Sequence, residues 1–156
     1  MKKDFRIELG QPNITGIPGI DIQHSELFLM LDGFINSLKD DKLSPDITRA
    51  VIQEMFEHLR SHLFTEECLL DMVDFPKANE HKAQHKNIIN MLRGEMEILK
   101  DTDNSKLSRF MRSYRHIGLT HIMVFDREYV DYIETLMTSK KKFPVYKYKD
   151  EQAAAG

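Results

Sequence analysis

Tryptophan is absent from the 156 residues and cysteine occurs once, at Cys68. A lone cysteine excludes an internal disulfide and every Cys-x-x-Cys metal or redox pair. Long hydrophobic runs are missing as well: the longest unbroken apolar stretch is Leu27 to Leu31, far short of the ~20 residues that span a bilayer. Neither charge dominates, since 22 Lys and Arg stand against 25 Asp and Glu, a net charge of −3. No basic block is long enough to form a nucleic-acid surface. Near the start, Asp4, Arg6 and Glu8 interrupt what would have to be an apolar signal core. The expectation is a cytoplasmic chain with no membrane and no nucleic acid as partner. Glycine and proline are scarce after residue 19, whereas Gly10, Pro12, Gly16, Pro18 and Gly19 crowd the first 19 residues, which read as an extended arm. What the chain does have is seven histidines, in a length that suits one domain.

Beyond Gly19 the sequence turns periodic. Ile20, His24, Leu27, Leu31, Phe34 and Leu38 follow the spacing of one helical face, with Asp21 as the expected N-cap of a helix to about Lys39. Ser44-Pro45 offers a cap and a first-turn proline for a second helix. Its stripe is Val51, Met55, His58, His62, Glu66 and Leu69, and it ends near Met72 because Phe75-Pro76 disfavours further helix. His81, His85, Ile88, Leu92, Met96 and Leu99 mark a third helix. Tyr114, Gly118, His121, Phe125, Tyr129, Tyr132 and Leu136 mark a fourth, capped at Asn104 or Ser105. Four amphipathic helices with short loops predict an all-α, up-down-up-down antiparallel four-helix bundle over 20–140, with the arm before it and a tail over 141–156.

Most of the histidines fall where the core should be. His24 sits on the first stripe, His62 and Glu66 on the second, His81 and His85 on the third, and His121 on the fourth. Burying them unpartnered would cost about 1 to 3 kcal/mol per polar group, and more for the carboxylate. Residues four apart share a face, so His62 with Glu66 and His81 with His85 can each converge on one ion. Heights along the bundle agree. His62 and Glu66 lie 13 and 9 residues before Phe75, and His81 and His85 lie 6 and 10 after it. Asp126 is less direct: five residues beyond His121 is about 140° around a regular helix. A widened π-type turn between the two would bring it to the same face. His58 is one turn from His62 and reads as a neighbour able to hydrogen-bond near the site, and His116 as a surface residue. Cys68 reads as a small core or boundary residue.

These residues resemble the hemerythrin family over roughly Thr15 to Leu136, most closely its single-domain bacterial members. The run from Thr15 to His24 resembles the start of the family's first helix. His62-Leu63-Phe64-Thr65-Glu66-Glu67 resembles its H-F-x-x-E-E element, Phe75-Pro76 with His81 and His85 its Y-P-x(4)-H-x-x-x-H element, and His121-Ile122 with Asp126 its H-I-x-x-x-D element. The resemblance implies two non-heme iron ions with a bridging oxo or hydroxo. His81, His85 and His121 would bind one iron, His24 and His62 the other, and Glu66 and Asp126 both. It leaves one position open on the second iron, where dioxygen would bind reversibly, in an oxygen carrier, store or delivery protein and not an enzyme. Other readings are an O2 or redox sensor acting on a protein partner, small-molecule handling of peroxide, nitric oxide or O2, and metal storage. The chain is expected to be a monomer. No Glu-x-x-His occurs, which separates it from the carboxylate-rich di-iron bundles.

One segment departs from the family. Ile117 stands where the family usually has Trp, and Gly118 where a Leu normally walls the oxygen pocket. The expectation is a roomier, wetter pocket, faster loss of bound O2 and easier entry of azide, peroxide or nitric oxide, with weak oxidase- or peroxidase-like activity as a corollary. Otherwise Phe125, Met123 or a residue of another helix fills the gap.

Overall fold

Gly16 takes φ of +77°, a left-handed conformation that strains any side chain, and Pro18 then supplies a helical φ at the first position of the first helix. The computed structural model describes residues 15–40, 43–98 and 104–139, so most of the expected arm and all of the tail lie outside the described residues. The elements are α1 (Pro18–Ser37), followed by a short 3-10 turn (Leu38–Asp40), then α2 (Pro45–Met72), α3 (Ala78–Ile98), α4 (Asn104–His121), a π-helical stretch (Ile122–Asp126) and α5 (Arg127–Thr138). The last three form one continuous run, the fourth arm of an antiparallel four-helix bundle. α1 packs on α2 and α4, and α2 on α3. Among the described residues no helix is long and apolar enough to cross a membrane.

The first helix begins earlier than its periodicity suggests. Asp21 is not the N-cap; that position is Ile17, which makes no side-chain cap. Asp21 lies inside the first turn and is buried. Its carboxylate accepts from Thr15 N–H at 2.9 Å, the Thr15 hydroxyl at 2.8 Å and Gly16 N–H at 2.9 Å. The acid therefore ties the incoming strand of chain to the helix instead of capping it, and three donors satisfy the buried charge.

The α2–α3 turn follows from local chemistry. Ser44 caps α2 by accepting from Ile47 N–H, and at the other end Asp74 takes φ of 50°. Phe75 N–H donates to Leu70 C=O at 3.0 Å and Asp74 N–H to Asp71 C=O at 3.3 Å, which is the Schellman pattern, with Leu70 and Phe75 sharing one apolar cluster. Pro76 then prevents the helix from resuming.

Among the described residues, three buried apolar clusters line the bundle. One holds Leu31, Phe34, Met55, Leu107 and Met111, the next Leu27, Phe56, Leu59, Leu63 and Leu92, and the last Leu70, Val73, Phe75, Tyr129 and Val130. Between the second and third lies a polar layer of His24, His62, Glu66, His81, His85, His121 and Asp126, all buried. Cys68 is exposed; two residues past Glu66, it is turned about 200° from the bundle axis side and so lies neither in the core nor at its boundary.

Candidate metal centre

The polar layer owes its composition to two helical devices. His62 and Glu66 on α2 and His81 and His85 on α3 are one turn apart on regular helix, so each pair shares a face. Asp126 follows His121 by five residues, and the intervening π-helical stretch brings it inward to complete burial. The widened turn expected from the sequence is there, and without it the carboxylate would face away.

The donor atoms fall into two groups that share Glu66. Glu66, His81, His85, His121 and Asp126 form one, and His24, His62 and Glu66 the other, with the potential ligand atoms of each within 4.8 Å of one another. Asp126 addresses both sides: Oδ1 lies 3.1 Å from His121 Nε2 and 3.4 Å from His81 Nε2, and Oδ2 lies 3.6 Å from His24 Nε2. Glu66 does likewise. Its Oε2 is 3.3 Å from His85 Nε2 and 3.8 Å from His62 Nε2, and its Oε1 is 3.9 Å from His24 Nε2.

Residues outside this set fix how the rings present themselves. His62 Nδ1–H donates to Gln23 Oε1 at 3.1 Å, and His85 Nδ1–H to Glu67 Oε1 at 3.0 Å. Both partner oxygens only accept, so each ring carries a proton on Nδ1 and turns Nε2 inward. Gln23 is itself held by Thr65 at 3.3 Å. The Tyr129 hydroxyl donates to Glu66 Oε1 at 2.7 Å. Burial, with the carboxylates of Glu66 and Asp126 beside it, raises the ionisation of that hydroxyl far above its ordinary value, so it remains a donor. Periodicity marked Tyr129 only as a stripe residue, and Gln23 and Glu67 only as parts of motifs.

Electrostatics favour lone-pair donors. Burial pushes His24 below its ordinary value against the pull of Glu66 and Asp126, and it takes His62 down to about 3. Both imidazoles are neutral at pH 7, the form that ligates metal. Burial opposes the charge on Glu66, yet His81 and His85, followed by His62 and His24, hold its carboxyl well below the usual carboxylate range.

Cations fit this set. His24 Nδ1 and Nε2, Glu66 Oε2, His81 Nε2, His121 Nδ1 and both oxygens of Asp126 are buried with no hydrogen-bond partner. Protein groups left in that state cost about 1 to 3 kcal/mol each. Beyond the Tyr129 hydroxyl on Glu66 Oε1 and the 3.0 Å contact between His85 Nε2 and His121 Nε2, these inward atoms have no protein partner, whereas cations would take up their lone pairs.

The remaining candidates separate. Ile117 and Gly118 line a cavity of about 40 Å³ that also touches His24, His62 and His121. Phe125 is elsewhere: it stacks on His121 with centroids 5.4 Å apart and faces a second, polar hollow beside His81. Met123 is exposed. The gap at Gly118 is filled from α1, where ring carbons of Phe28 lie 3.8 Å from where a Gly118 Cβ would be. The cavity is therefore small and mostly apolar, not the roomy wet pocket that Gly118 suggests. His58 does not reach the centre. Its Nε2 lies 3.3 Å from Glu26 Oε2 and it is partly exposed, because one turn from His62 also rotates it about 40° toward the α1–α2 groove.

Comparison with known proteins agrees with this geometry. The family description of the hemerythrin HHE cation binding domain matches residues 15–133. No curated protein and no solved structure matches the chain significantly. The match spans most of the described bundle and every residue of the polar layer, and on it the chain belongs to the hemerythrin family as a metal-binding domain.

Proposed function

We propose that the domain holds two iron ions with an oxo or hydroxo bridge and binds dioxygen reversibly, so that it carries, stores or delivers O2. His81, His85 and His121 would hold one ion, His24 and His62 the other, and Glu66 and Asp126 both. The two donor groups and the carboxylates that face each of them support this division. Five imidazoles suit iron better than a single structural zinc, which four ligands complete. When bound, the iron pair supplies reversible electron exchange with dioxygen.

The protein's own residues set the conditions for that chemistry. Gln23 and Glu67 lock the tautomers of His62 and His85, and Tyr129 holds Glu66 by a single donated hydrogen bond. Leu27, Leu31, Leu59 and Leu63 wall the cavity beside His24 and His62. That cavity carries the reading: it touches both rings of the two-histidine group and holds a few atoms of an uncharged ligand. Its largely apolar walls would disfavour water beside the two rings.

Metal analysis should find two irons per chain. The reduced protein should gain a visible absorption band on exposure to O2 and lose it when O2 is removed. A colourless protein with one zinc would overturn the reading.

A further inference from the structure

Phe28 stands one turn beyond His24 on the same face of α1, lines the cavity and is only partly buried. Across from it Gly118 presents bare backbone, and the ring rests where a larger residue would have built a wall from α4 itself. A second pair of residues holds the ring from the two helices. The Arg115 guanidinium lies over it, 5.5 Å from the centroid, and Arg115 Nε–H donates to Asp32 Oδ1 at 3.0 Å. Asp32 is one turn past Phe28 on α1, and Arg115 is one turn before Gly118 on α4. The contact thus links both helices across the mouth of the cavity.

These features distinguish a movable closure from a fixed wall. Leu27, Leu31, Leu59 and Leu63 are buried in the core and cannot turn without opening voids. Phe28 packs on the edge of the Leu31 cluster but is partly exposed and borders glycine on α4, so its side chain has room to rotate away from the mouth without moving backbone. The packing of the ring on the Leu31 cluster, the cation–π contact and the Arg115–Asp32 ion pair, whose side chains are 25 % and 19 % exposed, resist that rotation, so these contacts set how often the mouth opens.

We infer that Phe28, latched by the Arg115–Asp32 ion pair, is the gate through which small ligands reach the His24/His62 side of the centre. The inference rests on the reading that this side accepts an exogenous ligand, but not on that ligand being O2. A gate changes entry and exit alike. Opening it permanently accelerates both and leaves affinity nearly unchanged, whereas removing a wall contact changes affinity.

Stopped-flow binding of azide to the iron-loaded protein tests this. Phe28→Ala should raise association and dissociation rates more than tenfold with Kd altered by less than about threefold. Asp32→Asn, which touches neither cavity nor ligands, should raise both rates about three- to tenfold, and Phe28→Trp should lower them. Exchange of xenon into the full chain, followed by 129Xe NMR, supplies a readout that needs no ligand on iron and should accelerate in the same order. Unchanged azide rates and xenon exchange in both Phe28→Ala and Asp32→Asn would overturn the gate, as would a change in Kd alone. Gated azide binding without reversible O2 binding would defeat the dioxygen reading and leave the gate standing.

Discussion

Beside His24 and His62 lies a cavity of about 40 Å³ walled mainly by apolar side chains, and beside His81 lies a hollow of about 90 Å³ lined by Lys77, Glu80, Gln84 and Glu128 together with Phe75 and Phe125. The same polar layer therefore borders two kinds of space. Across the second, Lys77 Nζ and Glu128 Oε2 pair at 2.9 Å, so that hollow is charged at its rim and suits water. The first is bounded mainly by apolar side chains, with Arg115 at its edge. Ligand chemistry within the layer is nearly symmetric, imidazole and carboxylate on each side; what differs is the neighbourhood each side inherits from its helices.

The strongest way to break this contrast is to remove a group that serves both sides. Asp126→Ala or Glu66→Ala should take iron content from two per chain to none, while His62→Ala should retain about one iron on the His81, His85 and His121 side. Metal analysis of purified variants decides it, and equal losses in all three would erase the distinction between the sides.

Protonation probes the His24 and His62 side in the metal-free chain. His62 has its value lowered from 6.5 to about 3 by burial, so the folded state binds fewer protons than the unfolded state between those limits. Its contribution is present above about pH 6.5 and is lost as pH falls toward 3, by up to about 5 kcal/mol. Glu66, also held low, adds to the loss in the acid part of the range. Urea midpoints measured across this range should fall steadily, and His62→Leu should flatten the upper part of the decline.

Smaller effects sharpen the comparison. Gln23→Leu should weaken metal binding about 10- to 100-fold through His62, and Glu67→Leu by a similar factor through His85; competition with a chelator would separate the two sites by which ion is lost first. Smallest is Gly118→Ala. Its Cβ would meet Phe28 at an ordinary 3.8 Å, so the helix propensity of alanine should stabilise the chain by about 0.5 to 1 kcal/mol, or ~1 to 4 °C in Tm. Calorimetry measures that, and a loss of stability would mean that the Phe28 ring cannot accommodate a methyl group.

Helical periodicity made six of the seven polar-layer residues legible, because a histidine or carboxylate on an apolar stripe stands out whatever surrounds it. The bounds of α2 were legible for the same local reason, through Ser44, Pro45 and Phe75-Pro76. Asp126 required a departure from regular spacing, and the π-helical stretch provides it. Contacts between helices were not legible. Periodicity gives the face a residue occupies but not which residue of a neighbouring helix meets it. Phe28 over Gly118, Arg115 with Asp32, and Tyr129 with Glu66 therefore emerge only once the helices are packed. His58 and Asp21 show the complementary error: each was assigned from its own helix, and each is occupied by a neighbour, Glu26 and the Thr15-Gly16 backbone respectively.

The widened turn at Ile122–Asp126 reaches further than the carboxylate it presents. Every residue after it is shifted in phase, so Tyr129, fully buried with its hydroxyl on Glu66, and Val130 owe their inward direction to the same extra residue. Deleting one residue from that stretch would rotate all of α5 by about 100°, withdrawing Asp126 and Tyr129 together and turning the apolar face of the last helix to solvent. A single local irregularity acts as the register mark for the closing quarter of the bundle, tying the assembly of the fold and the completion of the metal centre to one step of backbone geometry.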